Sequence, residues 1–245
     1  MSGPSPLDIA TLKPKLVLPT TYKPIKDWKI AFSMDLGFFE VDREVQRNTL
    51  AAIEVFRSLG AAVEEVNLGW NKEALEAGVA YLQHLFGTWV SELLKKHGKD
   101  MTGYARKIAQ DGQKSKAADF LRTLDVANKL YSTLGPILEK YNVLVCPTTA
   151  LAAVPADFDQ SKGSVKINGK TISNPSLGWA MTTPFNTMSR CPVISVPSGH
   201  AKNRVPTGIQ IVGRTYCDRD VFQAAMAYET AQGQWFKTAA TRPSL

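Results

Sequence analysis

Cysteine is scarce in this sequence: Cys146, Cys191 and Cys217 are the three among 245 residues, an odd number and widely spaced. With no CxxC pair and no Cys/His ligand spacing, they argue against a disulfide framework and against a zinc site. The expected location is a reducing one, the cytoplasm. No apolar run approaches the roughly 18 to 20 residues that a membrane-spanning helix needs, and the opening MSGPSPLDIATLKPK lacks the apolar core of a signal peptide. The short motifs that most often announce catalysis are missing too: no GxSxG elbow, no Walker loop, no GxGxxG after a strand and no HExxH helix. No Gly/Ser linker divides the chain. Gly60, Gly69, Gly78 and Gly87 recur every nine residues, but their neighbours differ too much for a repeat.

What is there is a globular composition, 44% hydrophobic and 9% aromatic, which can bury a sizeable core. Compact domains mostly run to about 100 to 150 residues and α/β ones are often larger, so one large domain is expected. The formal net charge of +7 raises the question of nucleic acid, because Lys95, Lys96, Lys99, Arg106, Lys107, Lys114, Lys116 and Arg122 fall close together. These residues sit in segments of helical period, where lysines form a solvated face, and no aromatic-interleaved strand accompanies them. Neither a nucleic acid nor a membrane is expected as a partner.

Residues 1–28 read as an extended arm, since Pro4, Pro6, Pro14, Pro19 and Pro24 rule out helix interiors and central strands. Residues 29–245 read as one α/β portion. KIAFSMD predicts a strand, Asp42 a helix cap, Val45, Ala52, Ile53, Phe56 and Leu59 an apolar helix face, and Gly60 its stop. AAVEEVNL predicts a second strand, which makes a parallel βαβ unit. From about Lys72 to Lys140 the pattern is helical, with breaks expected near Gly98, Gly112 and Gly135-Pro136. NVLVCP predicts a strand buried on both faces, and SVKINGKTI a hairpin turning at Asn168-Gly169. VISVP and PTGIQIVGR predict two more strands, parted by the loop SGHAKNRV. DRDVFQAAMAYETAQG predicts a closing helix capped by Asp218, with Gly233 near its stop.

No catalytic centre emerges from these residues. His84, His97 and His200 have no paired carboxylate or serine at a telling spacing. Cys191 could serve as a nucleophile only with a lowered pKa, yet it stands between Arg190 and Pro192 with no histidine near in sequence, so a structural role is expected.

Three stretches carry a family resemblance: YNVLVCPTTA, TTPFNTMSRCPVISVPSG and VPTGIQIVGRTYCDRDVFQAAMAYE. In order and spacing they resemble the C-terminal part of the amidase signature family, with its D-V-L-x-x-P-T strand, F-N-x-x-x-x-P-x-x-x-V-P-x-G segment and P-x-G-x-Q-x-x-G-R strand. SGPSPLDIATLKP is similar to the linker that follows the family's catalytic region. The resemblance implies an α/β fold with a central mixed β-sheet flanked by helices, and amide hydrolysis by a Ser, a bridging cis-Ser and a Lys. It implies no cofactor and no metal. The Gly/Ser-rich segment that carries the nucleophile has no counterpart in this sequence, so the chain is expected to be inactive alone and to need an N-terminal half as partner, with a small-molecule amide as substrate. Homo-oligomerisation of the complete enzyme stays open.

By the same resemblance, the loop after the D-V-L-x-x-P-T strand and the wall shaped by Pro184, Asn186 and Pro192 face the catalytic serines. Cys146, Thr148, Thr149, Trp179, Phe185, Asn186 and Cys191 are therefore the candidates to line the substrate pocket, although for Asn186 and Pro192 holding the loop is the stronger expectation. Trp179 stands where the glutamine-dependent amidotransferases of this family carry an Asp for the amino group of glutamine. An indole there implies an apolar or aryl amide instead. The alternatives are a component of a glutamine-dependent amidotransferase and a non-catalytic interaction module that kept the half-fold.

Overall fold

Strand β1 (Lys29–Phe32), helix α1 (Arg43–Ser58) and strand β2 (Ala62–Glu65) form the expected unit, with β1 and β2 parallel and Lys29 opposite Ala62. The computed structural model describes residues 3–11 and 15–233. Asp42 caps α1 by accepting the Glu44 N–H at 2.8 Å, and Gly60 ends the helix with a φ of 86° that favours glycine.

Strand β3 (Val143–Pro147) pairs parallel to β1 on its other side and is wholly buried. β7 (Pro206–Gly213) runs antiparallel to β3, and β6 (Val193–His200) antiparallel to β7. The mixed sheet therefore has the order β2-β1-β3-β7-β6. β6 extends further than expected, absorbing Ser198, Gly199 and His200 through an irregularity between Pro197 and Gly199.

Alternation sends neighbouring side chains to opposite faces. Ile30, Phe32, Val143, Val145, Ile209 and Ile211 join one cluster with α1 and helix α7 (Asp218–Ala231), where the rings of Phe56 and Tyr228 stack at 5.1 Å. Ala31, Leu144, Cys146 and Val212 join the other, under α2 (Glu73–Leu82), α5 (Ala117–Lys140) and α6 (Thr183–Met188). The result is one sheet layer between two helical layers.

Two expectations are corrected, at Gly135-Pro136 and at Asp218. α5 does not break at Gly135-Pro136 but runs unbroken to Lys140. Proline there removes only the bond to the Ser132 carbonyl, and both residues lie on the exposed side, where water can satisfy it. Within the wall ahead of β6, residues 183–188 form α6, with Pro184 in its first turn, where the missing N–H costs nothing, and Ser189 ending it at a φ of 54°. Asp218 is the first residue of α7 rather than its cap, which is Cys217 without a capping side chain. Helix α2 continues through a wide turn at Gln83–Gly87 into α3 (Thr88–His97), which crosses α4 (Gly103–Gly112) at two glycines. A Cβ on Gly112 would stand 2.2 Å from the carbonyl carbon of Gly87.

The hairpin β4 (Lys166–Ile167) and β5 (Lys170–Thr171) turns at Asn168 and Gly169, both with positive φ as a type I′ turn needs. Asn168 Nδ2 donates to Glu40 Oε1 at 2.8 Å and to the Val41 carbonyl at 2.9 Å, and Lys170 Nζ to Glu40 Oε2 at 2.7 Å. That latch ties the hairpin to the β1–α1 connection.

Candidate functional site

Chain leaving the carboxyl end of β3 lies against the segment leading into α6. The Thr148 N–H donates to the Gly208 carbonyl at 2.9 Å, and its hydroxyl lies 2.8 Å from Ser195 Oγ on β6. Gly208 leaves room for this approach, since a Cβ there would stand 3.0 Å from Thr148 Oγ1. Thr149 makes an antiparallel bridge with Ala180, and the Ala150 N–H donates to the Trp179 carbonyl at 2.8 Å. The two segments run side by side as a short ladder.

Gln210 fastens them. It is fully buried on β7, and its Nε2 donates to the carbonyls of Pro147 and Met181, each at 3.0 Å. Its Oε1 is buried without a hydrogen-bond partner among the described residues, a desolvation cost that the two amide bonds offset. The sequence places Gln210 within a strand motif without revealing its role. The signal was a lone amide in the apolar strand GIQIV, where a buried polar side chain needs partners.

Thr148, Thr149 and Trp179 are thus brought together, each only partly buried. Trp179 packs on the core cluster and its indole N–H donates to the Pro175 carbonyl at 3.1 Å. Behind them, Cys146 has no exposed surface, and burial pushes its thiol far above the ordinary cysteine range. Phe185 is likewise buried, its ring 5.6 Å from that of Trp70. Asn186 is exposed on α6. Cys191 does not join the group. β6 and β3 both run antiparallel to β7, with Val193 and Leu144 both opposite Val212, so Cys191 lies past the amino end of β3 while Thr148 leaves its carboxyl end. Burial raises the Cys191 thiol, with a partial offset from a hydrogen bond to Thr215.

Beside the Trp179 loop, a cleft of about 290 Å³ is lined by Phe38, Phe39, Glu40, Lys72, Ile172 and Gly178, among others. Glu40 is held below the ordinary glutamate range, first by the Asn168 hydrogen bond and then by Lys170. His84 stacks on Phe120 with ring centres 4.9 Å apart and its Nδ1 lies 3.0 Å from Ser115 Oγ, a packing role. Among the described residues no group of three His, Cys, Asp or Glu side chains is arranged to hold a metal ion, and no helix is long and apolar enough to cross a membrane.

Comparison with known proteins gives these features a family. The amidase family model matches residues 1–222. An acylamidase of Rhodococcus erythropolis is 26% identical over 219 residues, 85% of this chain and 43% of that protein. The A-type component of the glutamyl-tRNA(Gln) amidotransferase of Oceanobacillus iheyensis is 28% identical over 235 residues, 84% of this chain and 45% of the relative. Among solved structures, a bacterial aryl acylamidase of the amidase signature enzymes matches with a TM-score of 0.76 and 26% identity, over 90% of this chain and 47% of that one. The chain spans a little under half the length of these relatives. With the family's order of motifs in place and nine-tenths of the sequence matched, the chain belongs to the amidase family.

Proposed function

We propose that this chain supplies the sheet and one pocket wall of an amide hydrolase acting on small apolar or aryl amides. The Ser-cisSer-Lys triad comes from an N-terminal half that this sequence does not contain. In that reaction the serine attacks the amide carbonyl while a base takes its proton and fixed donors stabilise the oxyanion. The part left to the present residues is to orient the amide and exclude water. No cofactor enters.

The observation that carries this reading is the indole of Trp179. Its N–H is already bonded to the Pro175 carbonyl, so the ring offers a substrate only carbon surface. An ammonium group at that place gains no charge partner from it, whereas an aryl or alkyl group gains roughly 25 cal/mol per Å² of apolar surface buried. The acylamidase and aryl acylamidase relatives support the same substrate class.

A second reading, a component of a glutamine-dependent amidotransferase, is favoured by the 28% identity to the amidotransferase of Oceanobacillus iheyensis. One experiment separates the two: intact mass and native size of the complete protein, followed by hydrolysis assays on an anilide and on glutamine. Anilide hydrolysis that falls when Trp179 becomes alanine supports the proposal. Glutamine hydrolysis without anilide hydrolysis supports the second reading, and a lone inactive chain leaves a non-catalytic interaction module.

A further inference from the structure

One side chain builds the turn in front of Trp179. Asn174 Oδ1 accepts the backbone N–H groups of both Ser176 and Leu177 at 2.9 Å, and the Asn174 carbonyl accepts the Gly178 N–H at 2.8 Å. A short amide that bonds the backbone two and three residues ahead specifies such a turn without help from distant parts of the chain. Gly178 closes it tightly: a Cβ there would stand 2.5 Å from the Asn174 carbonyl oxygen and 3.1 Å from Cδ1 of Ile172. The Pro175 carbonyl shares a planar peptide with the Ser176 N–H, so the bond from that N–H to Asn174 Oδ1 also sets the direction of the carbonyl.

Trp179 is fastened at both ends by this arrangement. Its backbone carbonyl accepts the Ala150 N–H, and its ring N–H donates to the Pro175 carbonyl at 3.1 Å. The first bond ties the residue to the end of β3. The second makes the ring's direction depend on where the turn holds Pro175. An aromatic substrate group gains from a neighbouring ring only in offset or edge-to-face arrangements, so a ring that swings freely distinguishes aryl from alkyl groups poorly.

We propose that Asn174 is a positioning residue for substrate specificity: by closing the 174–178 turn it holds the indole of Trp179 in the orientation that favours an aryl amide over an aliphatic one. The inference rests on the reading of Trp179 as pocket wall given above. Asn174 touches no reacting atom and acts through the ring.

The test uses the complete enzyme with two substrates that share an acyl group, an anilide and an aliphatic amide, and the variants Asn174→Ala, Asn174→Asp and Trp179→Ala. Loss of a capping-type acceptor predicts that Asn174→Ala lowers anilide kcat/KM roughly fivefold, through KM, and leaves the aliphatic amide unchanged. Asn174→Asp keeps an acceptor oxygen in place and restores the preference. A readout independent of activity is the Trp179 emission, taken as the difference between each protein and the same protein carrying Trp179→Phe. It shifts to the red in Asn174→Ala and stays put in Asn174→Asp. Equal loss on both substrates, failure of Asn174→Asp to rescue, or an unmoved emission overturns the role of Asn174 alone. An unchanged preference in Trp179→Ala overturns the pocket reading and this inference with it.

Discussion

Gln210 and Met181 are joined by a buried hydrogen bond of 3.0 Å that spans 29 residues of sequence. The same Nε2 also holds the Pro147 carbonyl, so one amide fixes the end of β3 to the approach of α6. Replacing it with leucine strands two carbonyls in the interior. At about 1 kcal/mol for each lost bond, Gln210→Leu is expected to cost about 2 kcal/mol in urea unfolding, and Gln210→Glu more, because it buries a charge. A loss under half of that would mean the two segments are held mainly by the Thr149–Ala180 ladder.

The crossing of α3 and α4 depends on the absence of side chains at Gly87 and Gly112. A Cβ on Gly112 would meet the backbone of Gly87 and Thr88, which cannot swing away. Gly112→Ala is expected to destabilise the chain by about 1 to 3 kcal/mol despite alanine's better helix propensity. Circular dichroism during thermal unfolding reads the sign directly, and a stabilised Gly112→Ala would refute the close crossing.

The latch at Glu40 is sensitive to acid. Its folded pKa lies below that of an unfolded glutamate, so its contribution is present above the ordinary glutamate range and is lost as pH falls through the folded value. Carbon-13 titration of the Glu40 carboxyl should give a midpoint below that of a free glutamate. Asn168→Ala, which removes the largest cause, and Lys170→Ala, which removes a hydrogen bond and a charge, should each move the midpoint up.

Thiol chemistry should separate the cysteines. Burial is the first cause raising all three, and Cys146 alone has no exposed surface. Alkylation at neutral pH is therefore expected to be slow at Cys191 and Cys217 and absent at Cys146 until the chain unfolds, since the thiolate is the reactive form. Mass mapping after a timed iodoacetamide pulse decides it, and early modification of Cys146 would contradict its burial on β3 beneath the helices.

Much of this architecture was legible because local chemistry and fold agree. Asp42 before an apolar helical stripe, Asn168-Gly169 between short strands and the uniformly apolar NVLVCP each act through neighbours in sequence, and each became the expected element. Pro136 misled because the rule for proline is local while its tolerance depends on which side of α5 faces water. The sheet-end geometry was hidden for a related reason. Thr148 and Cys191 come from motifs that follow one another in the chain, yet only strand direction and register show that they leave opposite ends of the sheet. Gln210 and Asn174 were missed because a buried amide reveals its purpose only when its partners are known.

Arg214, at the end of the last strand motif, sends its Nε and Nη2 to the Leu138 carbonyl in the final turn of α5, at 3.2 and 2.9 Å. A guanidinium keeps its charge at any pH a protein survives, whereas the Glu40 latch yields to protons. The two fastenings thus differ in durability: as a solution is acidified, the hairpin loses its charged contacts to Glu40 and keeps the Asn168 bond to the Val41 carbonyl, while the long helix stays anchored to the sheet. Acid should take this chain apart from its loop-rich rim inward.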